Sequence, residues 1–260
     1  MFPIRDDNPH FITPYATYAI LALNVAAWVF VQGLGTEPML SGSVCRLGLI
    51  PGELMQTVAP GTRLEIGPNT YCVLGESRSW YTLVTSMFMH GGWFHLIGNM
   101  WFLWIFGNNV EDSMGHMRFV AFYLLSGLAA AAAQILADMD SPIPMVGASG
   151  AIGGVMGGYI VLYPRVRVHM LVLIGFFITT FAVPAYLMLG YWLVVQLISG
   201  FLSIGAEGGG VAFWAHVGGF VAGAVLVLLF RDPRLVDRHP YHGWSRPSPG
   251  RSWRRLDRWR

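Results

Sequence analysis

The sequence predicts an all-α polytopic membrane protein with six transmembrane helices. Hydrophobic residues make up 54% of the 260 residues and charged residues only 12%, whereas soluble domains carry about 25% charged residues. A membrane-spanning helix needs roughly 20 mostly apolar residues, and several stretches of this chain meet that requirement. A soluble globular protein is therefore not expected.

Five of the six predicted spans are uninterrupted apolar segments. In chain order they cover residues 15–31, 93–110, 119–137, 184–204 and 211–230. We interpret the first as a retained span rather than a cleaved signal peptide, because the later spans need it to set their orientation.

The remaining span, fourth in the chain, is unusual. The apolar stretch 143–163 is interrupted by Gly-Ala-Ser-Gly, so its helix is expected to begin at Ser149 and to end before Pro164. At 1.5 Å per residue this helix is only about 22 Å long. It must therefore begin below the membrane surface, next to a water-filled hollow.

The arginines predict the orientation, since cytoplasmic loops near membrane helices carry the excess of basic residues. All 16 basic residues are arginine. If residues 1–14 are cytoplasmic, 13 arginines lie inside, and only Arg46, Arg63 and Arg78 lie outside. This orientation suits a bacterial inner membrane with both termini in the cytoplasm.

Residues 168–183 are apolar enough to be mistaken for a seventh span. A seventh span would move the arginine-rich tail 231–260 outside and separate His216 from Ser149. Residues 168–183 are therefore predicted to form a hairpin or a re-entrant loop at the inner interface.

Two regions flank or interrupt the membrane domain 15–230. The external loop 32–80 holds both cysteines, and in an oxidising compartment Cys45 and Cys72 can form a disulfide. Two free thiols remain an alternative, because no spacing motif links them. The tail 231–260 is predicted to be disordered, either contacting anionic lipid headgroups or acting only as an orientation signal.

Polar side chains inside membrane spans are costly and are therefore candidates for function. The candidates are His90, His95 and Asn99 near the start of the second span, Ser149 at the start of the fourth and His216 in the sixth. The hydroxyl of Ser149 lies at a helix N-terminus, where amide groups and the helix dipole favour developing negative charge. Such a position suits acyl transfer.

Glycines indicate how the serine meets the histidine, since close helix approach in lipid depends on small residues. Ser149, Gly153 and Gly157 follow i, i+4, i+8 spacing, and His216, Gly219 and Gly223 follow i, i+3, i+7 spacing. Packing of these two stripes would bring Ser149 beside His216.

His95 and Asn99 are four residues apart and so share one helical face. Both can donate hydrogen bonds, and together with the backbone amide of Ser149 they could form an oxyanion hole. The alternative is a polar contact that only holds two helices together.

Four motifs together carry a family resemblance. They are HGGWFHLIGN (90–99), FGNNVEDSMG (106–115), GASGAIGGVMG (147–157) and AHVGGFVAG (215–223). Over about residues 80–229 the chain resembles the rhomboid intramembrane serine proteases.

The resemblance implies a role for each matching residue. Ser149 would be the nucleophile and His216 its base, in a dyad without an acidic third member. His95 and Asn99 would support the oxyanion. Independently of the resemblance, Gly147 and Ala148 leave room for a strand-like substrate backbone beside the serine. His90 would shape the outer end of its helix and Glu111 would brace the inner loop.

The resemblance also implies the substrates, which would be single-span or other membrane proteins cut within or beside a transmembrane segment. No cofactor, metal or nucleic acid is expected. The glycine-rich loop 205–210 is predicted to be a mobile cap over the site.

Three positions depart from the pattern of many family members. Tyr81 stands where arginine is frequent and Ser86 where histidine can occur. Gly153 stands where an aromatic ring often stacks on the catalytic histidine, and Trp214 or Phe213 is the candidate to replace that ring.

Two alternatives of another class remain. A non-catalytic rhomboid-like protein would bind membrane segments without cutting them, although Ser149 and His216 argue against this. A proton-relay transporter would need polar residues in the inner halves of the spans, which are almost entirely apolar. A membrane metalloprotease is a weaker alternative still, since the sequence has no HExxH motif or clustered carboxylate ligands.

Overall fold

The computed structural model describes residues 2–67, 70–75, 78–175, 177–203 and 211–244. This part of the chain is predominantly helical rather than all-α, because it also contains five short β-strands. We call the end of the helix bundle that holds residues 2–12 the inner side, and the end that holds residues 32–80 the outer side.

The helices of the described residues are, in chain order, α1 (Tyr15–Ala26), α2 (Met39–Leu47), α3 (Pro51–Met55), α4 (Thr82–Thr85), α5 (Trp93–Met114), α6 (His116–Ala137), α7 (Ser149–Leu162), α8 (Ala185–Leu202), α9 (Phe213–Phe230) and α10 (Pro233–Val236). The strands are β1 (Phe2–Asp6), β2 (Arg63–Gly67), β3 (Thr70–Val73), β4 (Arg167–Ile174) and β5 (Phe177–Pro184). A π-helical turn, Ala27–Val31, extends α1.

Each of the six predicted spans overlaps a helix of the described residues. Within the described residues, α6, α8 and α9 are long and apolar enough to cross a membrane. The segment Tyr15–Val31 and helix α7 are shorter apolar helices. The chain is therefore an integral membrane protein.

Helix α7 forms the centre of the bundle and packs against α5, α6, α8 and α9. Glycine allows its close approach to α9: a Cβ on Gly157 would lie 2.0 Å from the carbonyl oxygen of Phe220, and a Cβ on Gly219 would lie 2.0 Å from that of Gly150. The two glycine stripes therefore meet, as the sequence predicts.

Residues 168–183 form a β-hairpin on the inner side, as predicted, with β4 and β5 antiparallel. Strand β1 adds to the other edge of β4, giving the order β1-β4-β5. The hydroxyl of Tyr159 in α7 donates to the carboxylate of Asp6 in β1. The N-terminal strand is thereby attached to the inner end of the central helix.

The first part of the C-terminal tail is structured, which corrects the expectation of disorder there. Nε2 of His239 lies 2.8 Å from Oδ2 of Asp112 in α5, and both side chains are buried. The amide of Gly243 donates to the carbonyl of Leu162. The buried contact between His239 and Asp112 and the backbone hydrogen bond hold this segment, whereas residues 245–260 lie outside the described residues.

The outer segment packs over the loop that leads to Ser149. Leu49 and Met145 exchange two backbone hydrogen bonds of 2.9 and 2.7 Å, and the amide of Gly52 donates to the carbonyl of Ser141. Cys45 and Cys72 are joined by a disulfide with their Cα atoms 5.5 Å apart. The disulfide connects α2 to β3 within this outer layer.

Candidate active site

A cavity of about 770 Å³ lies where α5, α7, α8 and α9 meet. Its walls include the residues predicted for catalysis and for oxyanion binding, whereas His90 lies outside the walls. Those that matter most are Ser149, His216, His95, Asn99 and Gly147, together with Trp192 of α8. The cavity thus collects polar groups from three helices at one place.

Ser149 and His216 are in direct contact. Ser149 is the first residue of α7, and its Oγ lies 2.7 Å from Nε2 of His216. The contact depends on the close approach of the α7 and α9 backbones at Gly219 and Gly223, which lie one and two turns after His216 in α9. A hydroxyl hydrogen-bonded to an imidazole in this way can lose its proton to the ring.

His95 presents a nitrogen toward the loop before Ser149. Its Nδ1 accepts a hydrogen bond from the amide of Gly91 at 3.3 Å. In the neutral ring Nε2 then carries the proton and can donate into the cavity. A Cβ on Gly147 would lie only 2.6 Å from this Nε2, so the glycine keeps the space beside it open.

Asn99 provides a second donor. It lines the cavity one helical turn beyond His95, and its side chain is buried. Its Nδ2 has no hydrogen-bond partner among the described residues. A buried amide without a partner costs free energy, which is recovered when a ligand oxygen accepts from it.

His90 is buried behind these donors rather than in the cavity wall. Its ring meets that of His95 edge to face, with centroids 5.2 Å apart. Its backbone amide and carbonyl both bond to the side chain of Gln32, each at 2.8 Å. Gln32, which sequence reasoning missed, ties the end of the first helical segment to the start of α5.

Two further residues that sequence reasoning missed contact His216 from α8. Oε1 of Gln196 lies 2.7 Å from Nδ1 of His216. The Trp192 ring lies beside the imidazole, with centroids 5.7 Å apart and planes 36° apart. Trp214, one of the two residues expected to replace the missing aromatic, instead packs edge to face on Phe201, so Trp192 takes that place.

On the inner side, Glu111 contacts more segments than the one loop that it was expected to brace. Its carboxylate accepts hydrogen bonds from the amides of Ala16 and Thr17 at 2.9 and 2.7 Å. It also lies 2.5 Å from Nδ1 of His116. Glu111 therefore joins α5 to the start of α1 and the start of α6.

The predicted cap, residues 205–210, lies outside the described residues. Two of the family departures have local contacts. The carbonyl of Ser86 accepts from the amide of Gly147 at 2.9 Å, and the hydroxyl of Tyr81 donates to the carbonyl of Arg46 at 3.2 Å. Ser86 thus helps to place the loop before Ser149 through its backbone.

The chain is similar in sequence to known proteins. The family model of the rhomboid domain matches residues 77–233. RHOMBOID-like protein 5 of Arabidopsis thaliana is 32% identical over 262 residues, covering 92% of this chain and 75% of the relative. Rhomboid protease GluP of Bacillus subtilis is 34% identical over 160 residues, covering 62% of this chain and 28% of that longer protein.

A mouse protein, rhomboid-related protein 2, is 29% identical over 69% of this chain and 60% of its own length. Similar proteins come from a plant, an animal, a yeast and a bacterium, and two of them are named as mitochondrial. This mixture of sources does not support the expected bacterial inner membrane. The matching domain covers more than half of the chain and contains all four motifs of the site. The chain belongs to the rhomboid family.

Proposed function

We propose that this protein is an intramembrane serine endopeptidase that uses Ser149 as nucleophile and His216 as general base. The 2.7 Å contact between Oγ of Ser149 and Nε2 of His216 carries the proposal. The contact lies at a helix N-terminus inside a cavity whose wall also holds two hydrogen-bond donors.

The reaction follows from these positions. His216 takes the proton from Ser149 as the Oγ attacks a substrate peptide carbonyl carbon. The resulting imidazolium returns that proton to the leaving amine, which gives an acyl-enzyme and a free amine. Water then attacks the ester, with His216 again accepting and donating a proton, and the serine hydroxyl is restored.

The negative oxygen of each tetrahedral intermediate needs donors in place before the reaction. His95 Nε2, Asn99 Nδ2 and the backbone amide of Ser149 are the groups we assign to this task. A donor of this kind contributes about 2.7 to 4 kcal/mol to stabilisation of the transition state.

The substrates we propose are membrane proteins cut within or beside a transmembrane segment. A helical segment hides its carbonyl groups, so it must unwind before attack, which favours small or helix-breaking residues near the bond. The positive φ of Gly147, +126°, and its lack of a side chain leave room for an extended substrate backbone beside Ser149.

The proposed topology has six membrane crossings with both termini on one side of the bilayer. Two contacts support it: Asn8 and Asp112 each lie close to His239 on the inner side. Chain ends that meet on one side require an even number of crossings. The arginine distribution favours the cytoplasm for that side.

The test is cleavage of a labelled single-span substrate by the purified protein in detergent. We expect cleavage by the wild type and none by Ser149→Ala or His216→Ala. Ser126→Ala, which removes a buried hydroxyl from α6 outside the cavity, is the matched control and should retain activity. If the wild type binds a panel of substrates without cutting any, the non-catalytic binding function replaces this proposal.

A further inference from the structure

Helix α8 carries a buried amide on an otherwise apolar surface. Gln196 is 8% exposed, whereas its neighbours Val194 and Ile198 are 50% and 55% exposed. Because a polar group inside a membrane bundle is costly without a partner, its presence requires a specific contact. The contact is with the imidazole of His216.

The orientation of the Gln196 amide, with its oxygen toward the ring, favours one tautomer of His216. The amide oxygen of Gln196 can only accept a hydrogen bond, so Nδ1 of His216, 2.7 Å away, must carry the proton. The other ring nitrogen, Nε2, is then unprotonated and accepts from Ser149 Oγ at 2.7 Å. General-base catalysis requires this tautomer, because the opposite one has no free electron pair on Nε2.

The same helix holds the ring from its face. Trp192 precedes Gln196 by four residues and so lies on the same side of α8, where it flanks both His216 and Phe220. Helix α7 cannot supply an aromatic ring against His216, because even a Cβ on Gly153 would lie 3.0 Å from the carbonyl oxygen of His216. Orientation of the histidine therefore comes from α8.

We propose that Gln196 is the positioning residue of His216, which extends the pair into a Ser149, His216, Gln196 chain of hydrogen bonds, with Trp192 supporting the ring face. This inference rests on the proposed function. Gln196 acts through the histidine, because it orients the neutral ring and accepts a stronger hydrogen bond when the ring becomes positively charged.

The first test measures the tautomer directly, independently of activity. In wild-type protein with ¹⁵N-labelled histidine, at a pH where the ring is neutral, the His216 shifts should report a proton on Nδ1. In Gln196→Leu the ring should populate both tautomers. A wild-type ring protonated on Nε2, or an unchanged tautomer in Gln196→Leu, would overturn the proposal.

The second test uses kinetics with a conservative rescue. Gln196→Leu should lower kcat about 10- to 100-fold, as expected for loss of a hydrogen bond to a charged group, with KM within twofold of wild type. Gln196→Glu keeps an acceptor oxygen and should recover activity to within a few-fold of wild type. Equal losses in both variants would mean that Gln196 serves only packing.

The control and the readouts separate this proposal from the proposed function. Gln134 of α6 accepts from the amide of Ala215, not from a side chain, so Gln134→Leu should keep the wild-type tautomer and kcat. The rate at which a fluorophosphonate modifies Ser149 should fall in Gln196→Leu by the same factor as kcat. A wild-type protein that cleaves no substrate would contradict the proposed function. The tautomer measurement would still test whether Gln196 positions His216.

Discussion

Gly223 of α9 lies directly against the backbone of Gly154 of α7: a Cβ on Gly223 would come within 2.0 Å of the carbonyl oxygen of Gly154. The two helices therefore approach at backbone distance two turns beyond His216. This approach sets how deep α9 lies beside α7, and the Ser149 to His216 contact depends on it.

Gly223→Ala should force the two helices apart. Because the obstacle is backbone rather than a flexible side chain, we expect a loss of about 1 to 3 kcal/mol in the free energy of unfolding and a fall in activity. Thermal unfolding in detergent measures the first effect. Gly190→Ala in α8 is the control, since its Cβ would meet nothing within 4 Å, and it should be neutral or slightly stabilising. Equal behaviour of the two variants would contradict close packing at Gly223.

Asn99→Ala removes the unpartnered Nδ2 from the cavity wall. If this group binds the oxyanion, kcat should fall about 100- to 1,000-fold with little change in KM. Stability should not fall, because no bond within the protein is lost. Asn108→Ala at the inner end of the same helix tests whether any asparagine of α5 has this effect. A loss confined to KM would show that Asn99 binds the substrate in its ground state.

Gly147→Ala should inactivate the protein while leaving it folded. The residue has φ of +126°, a conformation that strains any side chain, and the new methyl group would displace His95. Gly243→Ala is the matched control, because Gly243 also has a positive φ, +72°, but open space around its Cβ position. Full activity of Gly147→Ala would contradict the assignment of His95 as an oxyanion donor.

Stability should depend on pH through Asp6 on the inner side. Burial raises the pKa of this carboxyl from 3.8 to about 7. Between these values the folded protein keeps a proton that the unfolded chain has released. Stability falls with rising pH wherever the folded state binds more protons, here by up to about 1.4 kcal/mol per pH unit.

The melting temperature measured from pH 4 to 7 checks this slope. Asp6→Asn cannot ionise, so its melting temperature should fall less than that of wild type over the same range, and the two curves should run parallel above pH 8. The same pH dependence in both proteins would show that Asp6 is not the group responsible.

The local pattern of residues was sufficient for the helices and for much of the site. Apolar length located the helices to within a few residues, and Ser149 was expected to begin its helix because Gly-Ala-Ser-Gly interrupts the apolar stretch before it. Glycine spacing predicted which faces of α7 and α9 meet, since only small residues allow that approach.

Other features depend on contacts between distant segments and could not be predicted in this way. The tail beyond Arg231 has no apolar periodicity, yet His239 folds back onto Asp112 and makes the first part of that tail structured. The choice between disulfide and free thiols for Cys45 and Cys72 likewise depended on how α2 and β3 meet.

What the sequence determined by itself was the class of protein, its helices and the meeting of Ser149 with His216, because composition, periodicity and short motifs are local properties. What only the tertiary structure decided was the environment of the histidine. Gln196 and Trp192 lie in an apolar span 20 and 24 residues before His216; the amide of Gln196 is a polar group inside that span, but no local pattern shows that it faces the histidine. Their role depends on the direction in which α8 packs, and packing geometry is a property of the whole bundle.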